Sequence, residues 1–135
     1  MKVYVDIGHG EHGDPGAVSG RFIEHQMNIK VAHAFADRIK QLGWEVKIEQ
    51  GNLEMGDSAR VANNWGADLL LSFHFNAGGG DRGEVIYSWE SGALELANAV
   101  ADGLKIAGQS VVRVYKSKAN SSGTAEYFGI LRVSK

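Results

Sequence analysis

Cysteine is absent from this chain of 135 residues, which excludes disulfide bonds, thiolate metal ligands and a cysteine nucleophile. No apolar run reaches the roughly 18 residues that a membrane-spanning helix needs, so no membrane partner is expected. The first residues form a β-branched pattern and lack the apolar core of a leader, so no signal peptide is expected.

An excess of positive charge is also lacking. The chain has 14 Lys and Arg against 16 Asp and Glu, a formal net charge of −2. Nucleic-acid binding is therefore not expected, because it requires a basic face. The length and the 44% hydrophobic content are typical of one globular domain. Glycine is abundant, with 18 residues, and marks turns and places where the backbone approaches another group.

Hydrophobic periodicity predicts the element order β-α-β-α-β-β-α-β-β. Strands are expected over 2–7, 44–48, 67–75, 83–89, 110–115 and 127–133, and helices over 24–42, 57–65 and 93–107. The run 67–75 is almost continuously apolar, which is typical of a strand buried on both faces of a parallel sheet. The alternation predicts an α/β fold: a single domain with a mostly parallel, twisted sheet and helices on both faces.

Finer features of three segments can also be predicted. Residues 11–21 are rich in glycine and predict a loop after the first strand. Strand 83–89 is a candidate antiparallel edge. Asp57 or Ser58 is the expected N-cap of the second helix.

Two histidines follow strands that are expected to lie in one sheet. His9 stands between two glycines after the first strand, and His74 ends the apolar run. Glu24 opens the helix after the glycine-rich loop. Because ligands bind outside the carboxyl ends of strands in open α/β sheets, these three side chains can converge. Two imidazoles and a carboxylate with an open fourth position are typical of hydrolytic zinc sites.

Each of these residues also has a structural interpretation. A histidine in a glycine loop is often structural or solvated, and His74 would also suit a core position with both nitrogens hydrogen-bonded. Glu24 would be favoured in a first helical turn by the helix dipole alone. Spacing alone therefore leaves the metal site and these structural roles open.

The remaining polar candidates have weaker cases. His12 lies in the loop and is placed at the cleft, His25 points about 100° around the helix from Glu24, and His33 is expected at the surface. Arg60 is expected to make a structural ion pair. Asn76 is a candidate to hold a loop or to bind a substrate amide.

The sequence resembles the zinc-dependent N-acetylmuramoyl-L-alanine amidases of the amidase-3 type. The resemblance begins with Val5-Asp6-Ile7-Gly8-His9-Gly10 and Asp14-Pro15-Gly16-Ala17, and continues with Glu24 at a helix start. It extends through Arg60-Val61-Ala62-Asn63, the run 67–77 and Gly83 before a strand. Carried over by position, the family's zinc ligands fall on His9, Glu24 and His74.

The resemblance implies a peptidoglycan hydrolase. Its zinc ion would bind the scissile carbonyl and the attacking water at the amide between N-acetylmuramic acid and L-alanine of the stem peptide. A second glutamate, which is not a ligand, would act as general base. The implied cofactor is Zn²⁺ and the implied partner is bacterial peptidoglycan. The predicted domain covers residues 1–135 and acts on the cell wall, as a phage endolysin or as part of a secreted autolysin.

The family's general-base glutamate is expected on a late strand shortly after the segment 127–132, so it would lie beyond Lys135 together with the last helix. Truncation is the favoured explanation. Alternatives are a zinc-containing wall-binding module without catalysis, or substitution by another acid, namely Glu11, Glu84 or Glu126. A third hypothesis is a zinc hydrolase that acts on a different amide.

Overall fold

The computed structural model describes residues 1–49, 53, 55–78, 80–90 and 92–133. Its chain contacts divide it into two compact units, Met1–Ala77 and Gly78–Val133, each of which is described by itself. Among the helices that these residues form, none combines the length and the apolar character needed to cross a bilayer.

The first unit is built on a parallel sheet of three strands in the order β4-β1-β5. Its elements are β1 (Lys2–Ile7), β2 (Val18–Ser19), β3 (Phe22–Ile23), α1 (Glu24–Gln41), β4 (Glu45–Ile48), α2 (Met55–Trp65) and β5 (Leu69–Phe73). Strands β2 and β3 form a small antiparallel hairpin inside the expected loop. The central position of β1 places the end of this strand beside the end of β5.

Side chains alternate across β1 and are covered by a helix on each face. Val3, Val5 and Ile7 are buried in a core that includes residues of α1. On the opposite face, the Tyr4 ring lies 6.5 Å from that of Trp65 in α2. The prediction of helices on both faces is therefore confirmed for this sheet.

The second unit is a β-α-β arrangement followed by a short helix. Its elements are β6 (Gly83–Tyr87), α3 (Leu94–Ile106), β7 (Val112–Lys116) and α4 (Gly129–Val133). Strands β6 and β7 pair in parallel, so the expected antiparallel edge at 83–89 is wrong. The helix between the two strands supplies the crossover that parallel pairing requires. The α/β class with parallel strands is confirmed, whereas the extent of the domain over 1–135 stays a prediction.

Three local predictions differ from the structure. Residues 129–133 form α4, not a strand, because a short apolar run has no period that separates a helix from a strand. Strand β5 is only partly buried along its length, so its apolar run does not mark complete burial on both faces. Helix α2 begins at Met55, so Asp57 and Ser58 lie in its first turn instead of at its cap.

Candidate metal centre

Three side chains from separate segments of the first unit meet at the carboxyl end of the sheet. His9 follows β1, His74 follows β5, and Glu24 begins α1. The Glu24 Oε1 atom lies 3.2 Å from Nε2 of His9 and 3.2 Å from Nδ1 of His74. All three residues offer ligand atoms within 4.8 Å of one another. The sequence prediction that these side chains converge is therefore confirmed, while their role as metal ligands stays a prediction.

The Glu24 carboxylate is buried and held by backbone donors. Its Oε2 accepts the N–H of Ala17 at 2.9 Å, and its Oε1 accepts the N–H of Phe75 at 2.9 Å. Burial raises the pKa of this carboxyl, but these two N–H groups and the adjacent imidazoles outweigh it and hold the pKa below its usual range. The carboxylate is thus fixed in its ionised form, which is the form that binds a cation.

Two glycines leave room for the imidazoles. A Cβ on Gly8 would lie 2.4 Å from Cε1 of His74, and a Cβ on Gly16 would lie 2.6 Å from Cδ2 of His9. The two rings pack edge to face with their centres 5.0 Å apart. The two glycines therefore line the space in which the rings meet, and a larger residue at either position would overlap with a ring.

An acidic residue lies behind His9, on the far side of its ring from Glu24. Nδ1 of His9 is 2.8 Å from Oδ2 of Asp14, and Oδ1 of Asp14 accepts the N–H of Gly16 at 2.9 Å. The Gly16 N–H and the His9 ring hold the pKa of the Asp14 carboxyl below its usual range. No role for Asp14 was predicted from the sequence, although a carboxylate five residues after a candidate ligand in a glycine-rich loop is a signal that it could act from behind the ring.

Asp6 lies near the end of β1, but its carboxylate is held apart from the cluster by other partners. It is buried and accepts hydrogen bonds from the hydroxyls of Ser58 in α2 and Ser72 in β5. Burial raises the pKa of this carboxyl and outweighs the two hydroxyls, which lower it. Asp6 therefore links α2 to the strand that leads to His74.

The other histidines lie outside the cluster. Nδ1 of His25 is 3.2 Å from the carbonyl oxygen of Gly8, so this ring supports the loop backbone. His12 is exposed in a left-handed conformation, with φ of 51°. His33 is exposed on α1, as predicted.

The structure pairs Arg60 with Asp57 on the same helix, which confirms the expected structural ion pair. Asn76 is exposed two residues after His74, and its role toward a substrate stays a prediction.

The acids considered as a substitute general base have local partners where the structure describes them. Glu84 pairs with Arg82 at 2.6 Å and accepts the hydroxyl of Tyr115 at 2.8 Å. Glu126 is buried and accepts the hydroxyl of Ser88 at 2.6 Å. The side chain of Glu11 lies outside the described part of the chain. A catalytic role for any of the three stays a hypothesis.

Donor chemistry and spacing allow the cluster to bind a divalent cation. Two neutral imidazole nitrogens and an ionised carboxylate oxygen are intermediate ligands that suit zinc and similar ions. The side chains of His9 and His74 are 27% and 33% exposed, so the cluster is open to solvent on one side.

Comparison with known protein families shows to which family the chain belongs. A sequence model of the family described as N-acetylmuramoyl-L-alanine amidase matches residues 3–134. The chain belongs to this amidase family. The resemblance recognised in its motifs is thereby confirmed, and the match covers the segments that carry all three clustered residues.

Among curated relatives, the sporulation-specific N-acetylmuramoyl-L-alanine amidase of Bacillus subtilis (strain 168) is 33% identical to the amidase-family chain over 85 residues, which are 59% of this chain and 33% of the relative. The N-acetylmuramoyl-L-alanine amidase CwlM of Bacillus licheniformis is 32% identical over 85 residues, with the same two coverages, 59% and 33%. The chain thus spans about a third of the length of the curated relatives that it matches.

Solved structures support the fold of the amidase-family chain. The amidase AmiC2 of Nostoc punctiforme has a TM-score of 0.80 at 22% identity, covering 100% of this chain and 74% of that one. The amidase Ami1 of Mycobacterium smegmatis has a TM-score of 0.73 at 17% identity, covering 100% of this chain and 77% of that one. At these identities the similarity shows the fold alone.

Proposed function

We propose that this chain is the metal-binding domain of a peptidoglycan amidase that hydrolyses the amide between N-acetylmuramic acid and L-alanine of the stem peptide. The observation that carries the proposal is the meeting of His9, Glu24 and His74 around one carboxylate oxygen. Membership of the amidase family supports the choice of substrate. The cell wall is then the place of action, with an endolysin or an autolysin as the two expected settings.

Zinc is the proposed metal because the donor set consists of nitrogen and oxygen without sulfur. Three protein ligands leave further coordination positions open, which is typical of catalytic rather than structural zinc sites. When bound, zinc would supply Lewis acidity, which polarises a carbonyl group and lowers the pKa of water.

The protein groups prepare this site before any substrate binds. Glu24 supplies the negative charge, and the N–H groups of Ala17 and Phe75 fix both of its oxygens. His9 and His74 approach from two loops, and their partial exposure leaves one side of the site accessible to a peptide. Asn76 is proposed to hydrogen-bond that peptide because its exposed side chain lies two residues beyond His74, in the segment that follows β5.

Proton transfer to the leaving amine requires a further acid–base group. His9 and His74 could not supply it while both bind the metal, because the one basic nitrogen of each neutral imidazole is then a ligand.

The decisive experiment combines metal binding with digestion of intact cell walls. The zinc-loaded chain should release new N-terminal L-alanine from purified walls, and a chelator should abolish this release. His74→Ala should remove stoichiometric zinc and activity, and Glu24→Ala should weaken zinc binding strongly. His33→Ala is the matched control, since His33 is exposed on the same helix as Glu24 and should change neither readout.

Three outcomes would contradict the proposal. Retention of stoichiometric zinc by His74→Ala would refute the ligand assignment. Binding of the zinc-loaded chain to insoluble peptidoglycan without any new N-terminal alanine would favour the wall-binding module instead. Zinc-dependent cleavage of other amides, with intact walls left unchanged, would favour the third hypothesis.

A further inference from the structure

The two ring nitrogens of His9 face different carboxylates. Nδ1 lies 2.8 Å from Oδ2 of Asp14, whereas Nε2 lies 3.2 Å from Oε1 of Glu24. Oε1 of Glu24 is also the atom that His74 approaches. Nε2 therefore points into the cluster, and Nδ1 points away from it toward Asp14.

We propose that Asp14 is a positioning residue that keeps the hydrogen of His9 on Nδ1 and thereby presents the Nε2 lone pair to a metal ion. An ionised carboxylate only accepts hydrogen bonds, so the short contact with Asp14 requires the hydrogen on Nδ1. A neutral imidazole carries a single N–H, and the other nitrogen is then available as a ligand. The inference rests on the proposed function, because it assigns a role within the same metal site.

The loop around His9 holds Asp14 in the required place. The backbone N–H of Gly10 donates to the carbonyl of Asp14 at 2.8 Å, which closes the loop between the two side chains. The N–H of Gly16 occupies Oδ1 of Asp14 and leaves Oδ2 for the His9 ring. His9 itself takes a left-handed φ of 65° at the start of this loop.

A purely structural role explains the arrangement less well. The side chain of Asp14 is 47% exposed, so it contributes little to a core. The exposed Asp14–His9 contact by itself would stabilise the fold only slightly. Its specific consequence is for the ring: the contact sets which nitrogen faces Glu24 and in which orientation. Comparable carboxylates behind metal-binding histidines change metal affinity by about 10- to 100-fold when removed.

The test measures zinc affinity and the hydrogen on His9 separately. Zn²⁺ is titrated against a chromophoric chelator for the wild type, Asp14→Ala, Asp14→Asn and the control Asp37→Asn. Asp37 is a matched exposed carboxylate on α1 that pairs with Lys40 at 3.5 Å. Asp14→Ala should bind Zn²⁺ about 10- to 100-fold more weakly. Asp14→Asn keeps an acceptor oxygen and should lose less, and Asp37→Asn should match the wild type.

The second readout is long-range ¹H–¹⁵N NMR of the imidazoles, recorded with and without Zn²⁺ at a pH where the rings are neutral. Wild-type His9 should carry its hydrogen on Nδ1 in both states and bind Zn²⁺ through Nε2. In metal-free Asp14→Ala the hydrogen should shift toward Nε2. A residue that only anchored the loop would leave the position of this hydrogen unchanged.

The possible failures are distinguishable. Wild-type zinc affinity in Asp14→Ala, an unshifted hydrogen, or zinc on Nδ1 of wild-type His9 would overturn the role of Asp14 and leave the metal site standing. If the wild type bound no Zn²⁺, the proposed function would fail, while the metal-free spectra would still decide the hydrogen position. Should Asp14→Ala fail to fold, Asp14→Asn still tests the smaller expected loss of zinc affinity, and wild-type spectra alone can refute the inference.

Discussion

Gly8→Ala is the most direct perturbation of the candidate metal centre because a single methyl group meets two separate parts of it. The added Cβ would lie 2.4 Å from Cε1 of His74, 2.6 Å from its Nε2, and 2.6 Å from the carbonyl oxygen of Phe73. Ordinary contact begins at about 3.4 Å, so the ring would have to move by about 1 Å. The carbonyl cannot move freely, because it accepts the N–H of Gly8 at 3.1 Å beside the β1–β5 pairing.

The expected magnitude follows from which state can relieve this overlap. Without metal, the half-exposed His74 ring can rotate away, and only the overlap with the backbone remains. With metal, the ring has to return, and metal–ligand distances tolerate errors of only about 0.2 Å. Overpacking of this kind costs about 1–3 kcal/mol. If that cost falls on the metal-bound state, zinc affinity drops by about 5- to 140-fold, since 1.4 kcal/mol corresponds to tenfold.

Zinc affinity is measured by competition with a chromophoric chelator, and stability by urea denaturation with and without Zn²⁺. Gly103→Ala is the matched control, because a Cβ there meets nothing within 4 Å and the residue lies in α3. The control should keep wild-type zinc affinity and gain about 0.5–1 kcal/mol of stability from the better helix former. If Gly8→Ala bound Zn²⁺ as tightly as the wild type and were equally stable, the placement of the His74 ring against Gly8 would be refuted.

Three further predictions concern buried carboxylates and pH. Asp6→Ala should lower the free energy of unfolding by about 1–3 kcal/mol, because the hydroxyls of Ser58 and Ser72 lose their acceptor; an unchanged urea midpoint would contradict this. Burial would raise the pKa of the Glu126 carboxyl, but hydroxyl donors and the N–H of Trp89 outweigh it and lower the pKa. Its stabilising contribution is therefore present above the ordinary glutamate range and is lost as the pH falls through the lowered pKa. The unfolding free energies of the wild type and Glu126→Gln should accordingly differ most at neutral pH and converge in acid. A difference independent of pH would argue against a stabilising role of the ionised Glu126 carboxylate. Finally, zinc affinity should fall as the pH is lowered, because imidazoles bind metal only when neutral; a flat profile would contradict histidine ligation.

The local elements of the first unit were largely predictable from the sequence. Alternation in residues 2–7 and helical spacing after Glu24 correspond to β1 and α1, because both segments are long enough for their period to be unambiguous. The segment 129–133 was predicted wrongly because five residues are too few to show a period. The hairpin of β2 and β3 escaped prediction because each strand has only two residues.

The candidate ligands were predictable for a different reason. A histidine after each of two strands and an acid at a helix start form a pattern that depends only on the direction of the strands. Parallel pairing of β1 with β5 then brings His9 and His74 to the same edge of the sheet. The contact of Asp14 with His9 depends on left-handed backbone in the intervening loop, and hydrophobic periodicity carries no information about it.

By itself, the sequence determined the α/β class, the family and the three residues that meet at the sheet edge. These features depend on the order of strands and helices and on residue type, both of which can be read from the sequence. Tertiary structure alone decided which atoms face one another. It placed one oxygen of Glu24 next to both histidines and the ring of His74 against Gly8. It also placed the carboxylate of Asp14 behind His9. The physical reason is that hydrogen bonds and steric contacts depend on tenths of an ångström, which only the folded backbone fixes.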